Sequence, residues 1–114
     1  MTRRRLDLGA SGETATAAWY VAHGYDVLDR NWRCPEGELD LVLRRGGEVV
    51  FCEVKTRSSL AYGSPLEAVG PVKQRRLRIL AVRWLDQASV RPVSLRFDVA
   101  GVLDGEVEVI EAAF

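Results

Sequence analysis

The chain is poor in the residues that announce several common functions. Its 114 residues include two cysteines, Cys34 and Cys52, one histidine and one methionine. The cysteines lack the paired C-x-x-C spacing of a zinc site, and so few thiols fit a reduced, cytoplasmic setting. No apolar run approaches the roughly 18 residues that a membrane helix needs. No apolar segment follows Met1-Thr2-Arg3-Arg4-Arg5-Leu6 either, so neither export nor membrane insertion is expected. The single histidine, His23, stands beside Gly24, where capping a helix end is the expected role rather than general-base catalysis. An excess of one charge is also missing, because 16 basic and 16 acidic residues cancel. That balance counts against a broad basic footprint for nucleic acid. The distribution is uneven, however. Residues 71–83 carry Lys73, Arg75, Arg76, Arg78 and Arg83 and no acid, whereas residues 98–114 carry Asp98, Asp104, Glu106, Glu108 and Glu111 and no base. A neutral total can therefore contain a basic face.

What is present is an ordinary globular composition, 47% hydrophobic and 28% charged. The length suits one domain, 1–114, with residues 1–8 expected as a flexible basic tail. Ala15, Ala18, Trp19 and Ala22 recur at helical spacing and predict a helix over 10–23 that Gly24 stops. Residues 25–32 read as a strand. Residues 38–44 and 49–56 read as a hairpin closed by Gly46-Gly47, which can take the positive φ angles of a tight turn. A loop over 58–65 leads to Pro71, which opens a second helix running to about residue 88, with Leu77, Leu80, Ala81, Trp84 and Leu85 as its buried stripe. Two strands follow, over 93–99 and 106–110. The order predicts an α/β fold, a mixed central sheet of about five strands flanked by helices. The strands on either side of the second helix should be parallel.

The densest chemistry lies in Gly37-Glu38-Leu39-Asp40-Leu41-Val42-Leu43 and, after the turn, Val49-Val50-Phe51-Cys52-Glu53-Val54-Lys55. Strand alternation puts Glu38 and Asp40 on one face and Leu39, Leu41 and Leu43 on the other, and Glu53 and Lys55 share a face in the same way. Three carboxylates beside an ammonium make a hard, oxygen-rich site that suits Mg2+ or Mn2+ and a phosphate. Asp40 and Glu53 are the expected direct ligands, with the Val54 carbonyl completing the set and Glu38 as a further ligand or an outer partner. Lys55 would orient or deprotonate an attacking water and steady the charge of the transition state. The plainer alternative is a solvated hairpin face, and spacing alone divides the two readings evenly. Val42 and Phe51 favour the site. They continue the charged face as apolar residues, which implies cover, and charges under cover need a partner or a metal.

Lys73, Arg75 and Arg76 on the second helix are candidates for salt-sensitive, sequence-independent phosphate contacts, against the plainer reading of a solvated helix face. Trp19 and Trp84 fall on apolar stripes and read as core rather than base-stacking residues. Cys52 alternates away from Glu53 and reads as a buried small hydrophobe. Asp98 reads equally as a support for the site or as a surface acid.

The two central segments, together with Gly12-Glu13, Gly24-Tyr25, Arg30-Asn31-Trp32-Arg33, Lys73 and Arg96-Phe97-Asp98-Val99, resemble the YraN-like family of bacterial proteins. That family is similar in turn to the PD-(D/E)xK nuclease superfamily and to archaeal Holliday junction resolvases. The resemblance implies a single restriction endonuclease-like domain and a metal-dependent endonuclease acting on DNA, branched or structured forms included. It puts Asp40, Glu53 and Lys55 in the acid, acid and lysine positions. By the same resemblance Glu13 is the helix-borne acid that joins the site, and Gln74 is similar to polar residues that follow the E-x-K element. Leu39 stands where the name-giving pattern has proline. A two-stranded cut would favour a homodimer. A non-catalytic nucleic-acid-binding module on the same fold is the alternative.

Overall fold

A computed structural model describes residues 2–57 and 64–114, with side chains from residue 11 onward. Helix α1 (Thr2–Ala22) is followed by strands β1 (Asp26–Cys34), β2 (Gly37–Arg45) and β3 (Glu48–Arg57). A 3-10 turn (Pro65–Ala68), helix α2 (Pro71–Gln87) and strands β4 (Ser94–Leu103) and β5 (Glu106–Ile110) complete the chain. Most of the expected 58–65 loop lies outside the described residues.

The five strands form one sheet in sequence order, β1-β2-β3-β4-β5. The β3–β4 pair is parallel and the other three pairs are antiparallel, so the mixed sheet expected from the sequence is borne out. Pairing of Arg45 with Glu48 closes the β2–β3 hairpin around Gly46-Gly47, and Gly46 has φ +60°, a conformation that costs glycine little.

Alternate residues of the central strands feed two apolar clusters. Val42, Val49, Phe51 and Val99 pack with Leu77, Leu80, Ala81 and Trp84 of α2. Leu41, Leu43, Val50, Cys52 and Ala100 pack with Ala17 and Tyr20 of α1. The helices therefore cover opposite faces of the sheet. Val42 and Phe51 are buried under α2, as their apolar character implied.

Helix α1 departs from the sequence reading in two ways. It begins at Thr2, so the stretch expected as a flexible tail continues the helix. Its arginines, leucines and alanine are good helix formers. Its buried face also carries Gly12, Thr16, Ala17 and Tyr20, while Ala18 and Ala22 are exposed and Ala15 and Trp19 are half-buried. Alanines draw a helical pattern without much burial energy behind it. Tyr20 decides the rotation: its ring is fully buried and its hydroxyl donates to Asp98 Oδ2 at 2.6 Å. Close approach at Gly12 fixes the other end, since a Cβ there would lie 1.9 Å from Thr56 Oγ1 on β3. His23 follows the helix and its Nδ1 lies 2.7 Å from the Trp19 carbonyl, in keeping with an end-capping role.

Candidate active site

The β2–β3 ladder pairs residues from the hairpin turn as far as Leu41 and Cys52 and then stops. One residue beyond, the Val54 N–H donates to Oδ2 of Asp40 at 2.9 Å. The side chain takes the place of a backbone rung, and the two central strands part there. Val54 meets the site through its N–H, where the sequence led us to expect its carbonyl.

The same bend corrects the alternation assigned to β2. Leu39 packs in the α2-side cluster with Val42, whereas Leu41 and Leu43 pack on the α1 side, so the three leucines do not share a face. Strict period-two alternation holds only while the strand stays paired and regular, and at Asp40 it does not.

Three carboxylates from two elements form a cluster where the strands part. Glu13 from α1 and Glu38 and Asp40 from β2 each present a carboxylate oxygen within 4.8 Å of the others. Burial and the neighbouring Glu53 push Asp40 up to about 8, against the lowering effect of the Val54 N–H. Glu13 is also raised, first by burial and then by Glu38, while Arg30 and Asn31 restrain it. Asn31 sits on the bulged edge strand β1 with φ +51°, a left-handed conformation that asparagine tolerates. With its amide nitrogen turned toward the helix, it donates to both oxygens of Glu13, at 2.8 and 3.0 Å. Arg33 of β1 pairs with Glu38.

Glu53 stands on the α2 side and is only 5% exposed. Two ammonium groups meet its Oε2: Lys55 Nζ at 3.2 Å and Lys73 Nζ at 2.9 Å. The structure thus gathers Asp40, Glu53, Lys55, Glu38 and Glu13 and adds Lys73 from the start of α2. Lys73 and Arg76 line an open cavity of about 330 Å³ with Gly70, Pro71 and Val72. Arg75 is exposed and lies on the outer side of the helix. Gln74 is committed to the helix start, where its amide donates to the Val69 carbonyl at 3.0 Å and its N–H to that of Gly70 at 2.9 Å.

Asp98 is neither a surface acid nor a site acid. It is fully buried on the α1 side of the sheet, beside Cys52 rather than Glu53. Its carboxylate accepts from the Tyr20 hydroxyl, from Arg96 Nε and Nη2 at 2.9 Å each, and from the Ala112 N–H at 3.0 Å. Arg96 also pairs with Glu48 and Glu111. One positioning group escaped the sequence reading: Asn31, whose signal was an asparagine inside a strand pattern. Trp84 is core, as expected, and its Nε1 donates to Asp29 Oδ2 at 3.0 Å.

Sheet, helices and cluster together define an α/β domain, compatible with the restriction endonuclease-like arrangement, with an acidic, lysine-flanked cleft where its two central strands separate. The model of the uncharacterised protein family UPF0102 matches residues 12–102, and the chain belongs to this family, the YraN-like one. It is 54% identical over 101 residues to a UPF0102 protein of Beutenbergia cavernae, covering 89% of this chain and 86% of the relative. It is 48% identical over 120 residues to one of Moorella thermoacetica, covering 100% and 98% respectively. Among the described residues no helix is long and apolar enough to cross a membrane.

Proposed function

We propose that the protein is a metal-dependent endonuclease that hydrolyses DNA phosphodiester bonds, branched or structured DNA included. The observation that carries this reading is the convergence of Glu13, Glu38 and Asp40 within 4.8 Å beside a buried Glu53 that holds two lysines. Carboxylate oxygens at this spacing fit a hard divalent cation, and Glu13, Glu38 and Asp40 would hold it, with Glu53 at its side. A bound Mg2+ or Mn2+ would supply Lewis acidity and lower the pKa of a coordinated water.

The remaining work falls to the chain. Lys55 stands on the same face as Glu53, where its ammonium can orient the attacking water and balance charge that develops on the phosphate. Lys73 brings a second positive charge to the mouth of the cleft and, with Arg76, offers the DNA backbone a salt-sensitive anchor. Asn31 holds the Glu13 carboxylate in place, and the Val54 N–H does the same for Asp40.

The test is purified protein with Mg2+ or Mn2+ against linear, single-stranded, flapped and four-way DNA. Cutting of at least one form, lost in both Asp40→Ala and Lys55→Ala, supports the reading. Persistent cutting by both variants removes the site assignment. Salt-dependent binding with no cutting in either metal would leave a DNA-binding module on the same fold.

A further inference from the structure

Helix α2 buries Leu77, Leu80, Ala81 and Trp84 against the sheet, yet Val72, Ile79 and Val82 are 64%, 51% and 57% exposed. At about 100° per residue these three, together with Arg75 and Asp86, fall on the face directly opposite the buried stripe. A surface helix is ordinarily polar there. Val72, Arg75, Ile79, Val82 and Asp86 follow one another at intervals of three and four, the spacing of a helix-packing seam. Two of the basic residues beside the seam are engaged within the protein. Arg78 lies over the rings of Phe97 and Phe114, at 4.9 and 5.4 Å, and Arg83 pairs with Glu36 at 3.1 Å. Arg75 and Asp86, on the seam itself, have no ion-pair partner among the described residues.

We propose that this face is a homodimer interface, in which α2 packs antiparallel against α2 of a second copy. The charge pattern selects that occupant. A two-fold axis crossing the helix at the level between Leu80 and Ala81 sets each Ile79 against the other copy's Val82 and each Arg75 against the other copy's Asp86. Both apolar residues and both unpaired charges are then matched in one register. A parallel pairing would instead oppose like charges at both polar positions, which is costly. A nucleic-acid strand would leave Ile79 and Val82 without an apolar partner. One helix face is smaller than the roughly 800 Å² per partner of a standard interface, so the dimer is weak and concentration-dependent. The inference does not depend on hydrolysis.

Sedimentation equilibrium up to about 1 mM protein tests it. A reversible monomer–dimer equilibrium is expected, and Ile79→Glu, which replaces an outward-facing residue, should be monomeric with an unchanged circular dichroism spectrum. Arg75→Glu and Asp86→Arg should each weaken the dimer at least about tenfold, by setting like charges in contact. The double swap Arg75→Glu/Asp86→Arg should return it toward the wild-type constant. A wild-type protein monomeric at about 1 mM would overturn the proposal. So would a double swap no tighter than its single variants.

Discussion

Asp40 Oδ2 accepts the backbone N–H of Val54 at 2.9 Å, one residue beyond the last paired rung of the central hairpin. This hydrogen bond holds together two strands that are otherwise parting, at the residue that also joins the acidic cluster. Structural and chemical roles of Asp40 can therefore be separated by substitution. At about pH 4, where the folded wild type also carries a neutral side chain, Asp40→Asn keeps an acceptor for Val54 and should stay within about 0.5 kcal/mol of wild type in urea unfolding. Asp40→Ala strands a partly buried N–H and should lose about 1–2 kcal/mol. Both should abolish Mn2+ binding measured by calorimetry.

Stability should fall with rising pH across the range in which Asp40 titrates. Its carboxyl is raised to about 8 in the fold, mainly by burial and then by Glu53, from an ordinary 3.8. Between those values the folded state binds the extra proton, so its contribution is complete below about pH 4 and is lost as pH rises through about 8. The slope from this one group is at most about 1.4 kcal/mol per pH unit. Asp40→Asn should flatten it. Mn2+ requires the ionised carboxylate, so its uptake at pH 7 should release protons, seen as a heat that varies with buffer ionisation enthalpy.

Lys73 and a divalent cation act on the same acidic cleft with opposite results. Removing the ammonium 2.9 Å from Glu53 in Lys73→Ala leaves Lys55 alone to balance that buried carboxylate. Mn2+ affinity should rise a fewfold, because a competing positive charge has gone. DNA affinity should drop, with the slope of log K against log salt reduced by about 1. The stability change should be about 1 kcal/mol or less, since Lys73 is partly in solvent.

Asp98 should be the more costly acid to remove, although it lies outside the cleft. Asp98→Ala leaves the Arg96 guanidinium and the Tyr20 hydroxyl without their buried acceptor. Loss of one member of a buried pair costs about 3–5 kcal/mol. Thermal unfolding should register that loss, while Mn2+ affinity of the remaining folded protein should stay near wild type.

Period-two runs, a glycine pair and a proline were enough to write the hairpin, α2 and the last strands close to where they lie, because those signals are local. Asp40, Glu53 and Lys55 were legible for the same reason, as neighbours on two strands joined by a short turn. Glu13 was named through resemblance alone, and the face of α1 was misjudged, because a pattern of alanines carries little burial energy against one tyrosine that reaches Asp98. Alternation misassigned Leu39 because a side chain replaces a backbone rung at Asp40. The sequence by itself determined which charges stand on the central hairpin. Only the tertiary structure decided that Glu13 and Lys73 join them and that Asp98 is buried away from them. Those placements depend on how helices distant in sequence rotate and pack on the sheet, which no local period records.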